Sequence, residues 1–250
     1  MSAGWRHVGF KAVRLAKGES FGGGEEGREA CLVILAGTAD VEADGQSFGL
    51  LGDRANVFED VAPAAIYASA GAAYRVTARS QVEVAVCTAP GASGRSTRLI
   101  SSSAMRREDR GTGSNARRVR DILPASEAAD CLLVVEVVTP GGNWSSYPPH
   151  KHDTADHDSE TALEETYYHR IKPAQGFAFQ RIYTDDRSLD ETFTVEDGDV
   201  VIVPRGYHPV AAAHGYDLYY LNVMGGPQRR WIFRNDPAHD WIVSKPANAS

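Results

Sequence analysis

Apolar residues in this chain fall in short runs, broken by turn-forming residues every eight to twelve positions. Residues 32–36 (Leu-Val-Ile-Leu-Ala) read as a continuous buried strand. Ala36-Gly37 then turns into 38–43, where small or apolar residues alternate with polar ones, and Asp44-Gly45 closes that segment. Further strand patterns lie at 48–51, 66–67, 74–77 and 82–86. In the second half they lie at 132–138, 166–171, 177–183, 191–195, 200–203 and 216–223, with 200–203 reading as buried. A period of two marks a half-buried strand and a short unbroken apolar run a fully buried one. No stretch of ordinary helix length carries a helical period. The pattern predicts an all-β chain, a sandwich or barrel.

The two halves look like a diverged repeat. Residues 66–74 resemble 201–208, and Tyr74 stands where the second half offers His208. The expected organisation is two β-barrels, at 1–90 and 126–250, of which only the second binds metal. Residues 91–125 between them are polar and arginine-rich, which predicts a basic solvated linker with one or two functional arginines, the alternative being an arginine cluster that holds a carboxylate substrate or a neighbouring subunit.

Composition narrows the function classes. The chain is 42% hydrophobic and 24% charged, as ordinary globular proteins are. A net charge of -7 argues against nucleic acid or a membrane surface as partner. No apolar run is long enough to span a bilayer, and the first residues lack the apolar core of a signal peptide. Cys31, Cys87 and Cys131 show no pairing pattern, which fits small buried side chains in a reducing cytoplasm.

The chemistry concentrates in residues 141–153, Gly-Gly-Asn-Trp-Ser-Ser-Tyr-Pro-Pro-His-Lys-His-Asp. His150 and His152 are two apart, so on an extended strand both point to one face. Glu165, heading Glu-Thr-Tyr-Tyr-His, and His208, after Pro204-Arg205-Gly206-Tyr207, complete a set of three imidazoles and one carboxylate. That set predicts one divalent metal ion per chain. The ligand types suit zinc, manganese, iron or nickel, with zinc or manganese expected. Four protein ligands leave two positions of an octahedral ion open.

These motifs resemble those of the cupin superfamily: His-x-His, a later Glu opening a Tyr-rich strand, and Gly198-x5-Pro204-x-Gly206 leading to His208. Here twelve residues, including the acidic run 153–160, separate His152 from Glu165. Residues 139–153, together with 163–170, 176–194 and 195–223, are similar to the bacterial 5-deoxy-glucuronate isomerases of myo-inositol catabolism. These are in turn similar to 4-deoxy-L-threo-5-hexosulose-uronate ketol-isomerase. The resemblance implies a bicupin of two jelly-roll barrels in a cytoplasmic, homo-oligomeric enzyme. It implies an aldose-ketose isomerase acting on a small sugar acid, converting 5-deoxy-D-glucuronate to 5-dehydro-2-deoxy-D-gluconate. A metal could steady a developing enediolate or polarise the carbonyl for a hydride shift.

If Glu165 faces the metal, strand alternation sends Tyr167 and His169 to the same face, as candidate proton handlers, and Tyr168 and Arg170 to the other. Glu164 should point away as a solvated charge. The substrate carboxylate calls for a fork of donors, with Lys151, Arg181 and Arg205 as candidates and Lys172 nearby. The insertion 153–162 reads as a mobile flap at the barrel mouth, held by Lys151 or Arg170. The rival readings are an Fe(II) dioxygenase and a sugar-acid-binding protein without catalysis.

Overall fold

The computed structural model describes residues 4–92, 94–156 and 158–244. The first nine strands are β1 (Gly9–Leu15), β2 (Ser20–Gly23), β3 (Arg28–Ala36), β4 (Ala39–Ala43), β5 (Gln46–Leu51), β6 (Ala64–Ala68), β7 (Tyr74–Ala78), β8 (Val82–Pro90) and β9 (Arg98–Ile100). They build two sheets, ordered β1-β8-β3-β6-β9 and β2-β7-β4-β5. Next come β10 (Arg107–Arg110), β11 (Arg117–Leu123), β12 (Leu133–Thr139), β13 (Trp144–Ser145), β14 (His150–Lys151) and β15 (Glu164–Lys172). The last are β16 (Ala178–Tyr183), β17 (Asp190–Val195), β18 (Val200–Val203), β19 (Val210–Ala212), β20 (Asp217–Gly225) and β21 (Arg234–Asn235). These twelve build sheets ordered β10-β11-β12-β20-β15-β18 and β13-β19-β16-β17, and the pair β14-β21. The all-β class holds. Each sheet runs from edge to edge without closing on itself. The only α-helix among the described residues is one turn, α1 (Trp241–Ser244), and no helix is long and apolar enough to cross a membrane.

The sheets stack in layers, and the sequence shows why. On β3, Leu32 and Ile34 pack with Val41 and Val76 of the four-stranded sheet behind them. Cys31, Val33 and Leu35 turn the other way, against Leu132, Val134, Tyr219, Leu221 and Val223 of the six-stranded sheet. On β20 the complementary set, Leu218, Tyr220 and Met224, meets Ala178, Ile182, Val195 and Val210 of the second four-stranded sheet. A strand covered on both faces must be apolar throughout, which explains the unbroken runs at β3 and β20. Burying each such Leu, Ile or Val contributes about 1.5–3 kcal/mol.

Three sequence readings change. Residues 98–123, most of the expected linker, are folded: β9 pairs with β6, β10 and β11 extend the six-stranded sheet, and Val119, Ile122 and Leu123 are buried. Strand 200–203 is not buried throughout, because β18 is a sheet edge that leaves Val200 and Ile202 exposed while Val203 faces the core. Glu164 is no solvated charge: its carboxylate accepts the backbone N–H groups of Arg6, His7 and Val8, each at 2.8 Å. It thereby ties the N-terminal segment to β15.

Candidate functional site

The two-residue strand β14 pairs with β21, His150 opposite Asn235. His152 follows directly, and the two rings share one side with centroids 6.2 Å apart. On β15, Glu165 reaches the same point from the six-stranded sheet. His208 arrives through the turn at Pro204-Arg205-Gly206. Gly206 has φ +89°, and a Cβ there would lie 2.3 Å from the Tyr183 carbonyl oxygen, so this approach admits only glycine. Its N–H donates to Asp153 at 2.7 Å, and its carbonyl meets His208 Nδ1 at 2.8 Å. A proton on Nδ1 there leaves Nε2 of His208 as a lone-pair donor.

The ligand atoms of His150, His152 and His208 lie within 4.8 Å of one another, and all three side chains are buried. Glu165 Oε2 stands 2.9 Å from His152 Nε2 and 3.1 Å from His208 Nε2, and Glu165 Oε1 accepts from Asn222 at 2.6 Å. Burial alone would raise the Glu165 carboxyl. His208 and His152 outweigh it and hold the group well below the usual carboxylate range. Burial would likewise lower His152, but Glu165 raises it. At His150 burial and its two neighbouring imidazoles outweigh the support of Glu165 and drive the ring well below its ordinary value, so it is neutral. Nδ1 of His152 and Nε2 of His208 are buried without a hydrogen-bond partner. Two ligands bonded at about 2.1 Å and at right angles stand about 3 Å apart, as Glu165 does from these histidines. The donor set fits a divalent ion.

The cluster opens at His150 into a pocket of about 270 Å³. Tyr167 and Asn222 stand at this end, and Trp231 and Phe233 line the wall. Alternation on β15 places the residues as expected. Tyr168 and Arg170 face away, toward Glu83. Tyr167 faces the pocket, its hydroxyl 2.9 Å from Ser146 Oγ and its ring 5.9 Å from that of His208. Tyr220, beside it at 4.9 Å, bonds Ser145. Sequence reasoning missed Tyr220 and Asn222. A lone asparagine in the apolar run of β20 was the available signal, since a buried amide needs a partner.

His169 stacks on Tyr167 at 5.8 Å but does not line the pocket. It is fully buried, with Nε2 3.1 Å from Gln180 Oε1. Burial pushes it down to about 4, against the partial support of Gln180 and Asp199. A free imidazole binds its proton near 6.5, so the unfolded chain holds a proton here that the folded chain excludes. Stability therefore falls as pH drops from about 6.5 to about 4, by about 3 kcal/mol from this ring. His169→Asn removes that loss. The stability gap between wild type and variant, read from urea unfolding, should shrink by about 2 kcal/mol between pH 6.5 and pH 5. A constant gap would show that the ring is not held neutral.

The other candidates lie elsewhere. Lys151 turns away from His150 and is buried against Asp153 at 2.7 Å and Glu160 at 3.3 Å. Arg181 is bound in a fork by Asp190 on the outer sheet, and Arg205 is exposed and donates to Ser188. Lys172 is exposed at the end of β15. None of the four lines the pocket. The insertion is anchored where a flap was expected. Buried Glu160 accepts the N–H groups of Asp153 and Thr154 as well as Lys151, and Thr161 bonds the backbone of Arg230 and Ile232. His157 lies outside the described residues. The arginines that do line the pocket, Arg110 and Arg117, belong to the stretch read as a linker.

The description of the KduI/IolB family matches residues 1–242. The chain is 54% identical over 242 residues to the 5-deoxy-glucuronate isomerase of Geobacillus kaustophilus, covering 97% of this chain and 88% of that one. It is 49% identical over 240 residues to the 5-deoxy-glucuronate isomerase of Bacillus subtilis strain 168, covering 96% and 89%. An IolB-like protein from Salmonella typhimurium LT2 has a similar structure, with a TM-score of 0.95, 51% identity, and 96% and 92% of the chains covered. A variant of Bacillus subtilis oxalate decarboxylase gives a TM-score of 0.62 at 13% identity, covering 92% and 71%, a likeness of fold alone.

Proposed function

This chain belongs to the KduI/IolB family, and on that premise we propose that it is a metal-dependent aldose-ketose isomerase of myo-inositol catabolism. It converts 5-deoxy-D-glucuronate to 5-dehydro-2-deoxy-D-gluconate. One observation carries the reading: in a chain 54% identical to a named isomerase, a buried three-histidine cluster opens at His150 into a pocket sized for a small sugar acid. His150, His152, Glu165 and His208 would hold one ion per chain, zinc or manganese. When bound, the ion supplies Lewis acidity to a substrate carbonyl.

The chain's own groups do the rest. Asn222 fixes one oxygen of Glu165 and leaves the other facing the histidines. The Tyr167 hydroxyl is raised well above the ordinary phenol range by burial and by Glu165. It therefore keeps its proton and acts as a donor to a substrate oxygen, with Ser146 orienting it. His169, neutral and stacked beneath, is a positioning residue for that ring. Trp231 and Phe233 exclude water from the pocket wall.

The packed sheet pairs are read as the two barrels of a bicupin, a metal-free one over 1–90 and the metal-binding one over 126–250, with 91–125 joining them. The exposed rings of Phe177, Phe179 and Phe193 support a homo-oligomer, and the reading places the enzyme in the cytoplasm. Incubation of metal-loaded protein with 5-deoxy-D-glucuronate, followed by NMR, should yield the ketose with no oxygen consumed. Oxygen uptake, or no turnover by protein carrying about one ion per chain, would overturn the proposal.

A further inference from the structure

Arg117 is the pocket residue whose charge is left unanswered. It starts β11, directly across from Arg110 on β10. Its neighbours each have a carboxylate partner: Arg110 pairs with Glu108, Arg118 shares Asp60, and Arg120 pairs with Asp60 and Glu136. Among the described residues Arg117 has no carboxylate within ion-pair distance, and its guanidinium donates once, to the Asn115 carbonyl at 2.9 Å. Yet it is half-buried, among walls formed by Val119, Val137 and Trp231. Burial lowers its hold on its proton and Arg110 adds to that, outweighing the opposing influence of the Tyr220 hydroxyl and of Glu108. An unpaired cation beside apolar walls is costly unless something negative joins it.

The chain builds a seat for this side chain. Gly111 has φ +73°, and a Cβ there would lie 2.8 Å from Arg117 Nη1 and 2.2 Å from the Asn115 carbonyl. The guanidinium therefore lies across a bare glycine. Asn143 pins the connecting turn, donating to the carbonyls of Ala116 at 2.8 Å and Gly113 at 3.3 Å. The pocket lined by Arg117 is the one into which His150 opens.

We propose that Arg117 is the carboxylate-recognising residue of this pocket and sets its preference for sugar acids over neutral sugars. A guanidinium presents paired N–H donors that match the two oxygens of a carboxylate. The half-buried setting strengthens that contact. The inference rests on the isomerase reading for the identity of the substrate, but not for the class of ligand.

The test uses the full chain and two probes, D-glucuronate and D-glucose, titrated by ligand-observed NMR. Wild type should bind glucuronate more tightly than glucose. Arg117→Gln should weaken glucuronate about tenfold to a hundredfold and leave glucose unchanged, with Arg117→Lys in between. Because the side chain has no ion-pair partner, Arg117→Gln should not lower the melting temperature. Arg79→Gln, which breaks an exposed pair with Asp40, serves as the unaffected control. Equal binding of the two probes by wild type, or unchanged glucuronate binding by Arg117→Gln, would overturn the proposal. With 5-deoxy-D-glucuronate, Arg117→Gln should raise KM far more than it lowers kcat. Arg117-dependent glucuronate binding without turnover would sink the isomerase reading and leave this one standing. Turnover with an unchanged KM in the variant would do the reverse.

Discussion

His152→Ala should lose bound metal almost entirely, with affinity down by about a hundredfold or more and turnover by about a thousandfold. Disturbing even a group that only orients a metal ligand costs about 10–100-fold, and His152 is placed as a direct one. The alanine leaves two imidazoles and a carboxylate, one short of the four protein ligands expected here. The fold should survive, because Glu165 keeps its hydrogen bond from the Asn222 amide at 2.6 Å. Elemental analysis of purified protein reads the outcome directly, with wild type near one ion per chain. Glu164→Gln is the matched control, one residue from Glu165 but on the opposite face, with its carboxylate on the N-terminal backbone. It should keep the metal while losing about 1–3 kcal/mol of stability. Full metal occupancy in His152→Ala, or its loss in Glu164→Gln, would remove the ligand assignment.

What the sequence disclosed about this site is what short-range geometry carries. His150 and His152 are two residues apart, and Tyr167 and His169 follow Glu165 at the same period. Alternation along a strand therefore put each on its observed face. The turn before His208 was legible because Gly206 occupies a conformation that other residues rarely adopt. What stayed hidden depends on distant pairing. Tyr220 and Asn222 stand beside β15 because β20 pairs with it in one register, His169 opposite Tyr220 and Tyr167 opposite Asn222. Arg117 looked like one of many linker charges, because only the folded sheet shows which arginines have partners. The insertion looked mobile because it is longer than a hairpin connection, and length alone does not show that Glu160 is a buried acceptor for its own loop.

The largest stability effect should come from a group that no motif marks. Glu136 lies on β12, where Val135 and Val137 turn toward the pocket side and Glu136 turns toward the first-half sheets. There it accepts both terminal nitrogens of Arg54, at 3.1 and 2.9 Å, together with Arg120 at 3.2 Å and the Tyr219 hydroxyl at 3.2 Å. Arg54 is itself 1% exposed in its side chain and also holds the carbonyls of Leu35 and Val61. Burial would lower its affinity for its proton, but Glu136 reverses this, so the guanidinium stays charged. One carboxylate thus neutralises a buried cation from the strands before residue 100 and joins it to the six-stranded sheet. Glu136→Gln keeps the shape and removes the charge, leaving Arg54 uncompensated in an interior that water cannot reach. The expected cost is about 3–5 kcal/mol, read as a lowered urea midpoint at pH 7 with the slope unchanged. Removing both charges, as in Arg54→Met with Glu136→Gln, should recover much of that loss, because the penalty lies in the unpaired charge. A single-variant loss below about 1 kcal/mol would mean that Arg120 and solvent satisfy Arg54 without Glu136, and that the layers are held by their apolar faces alone.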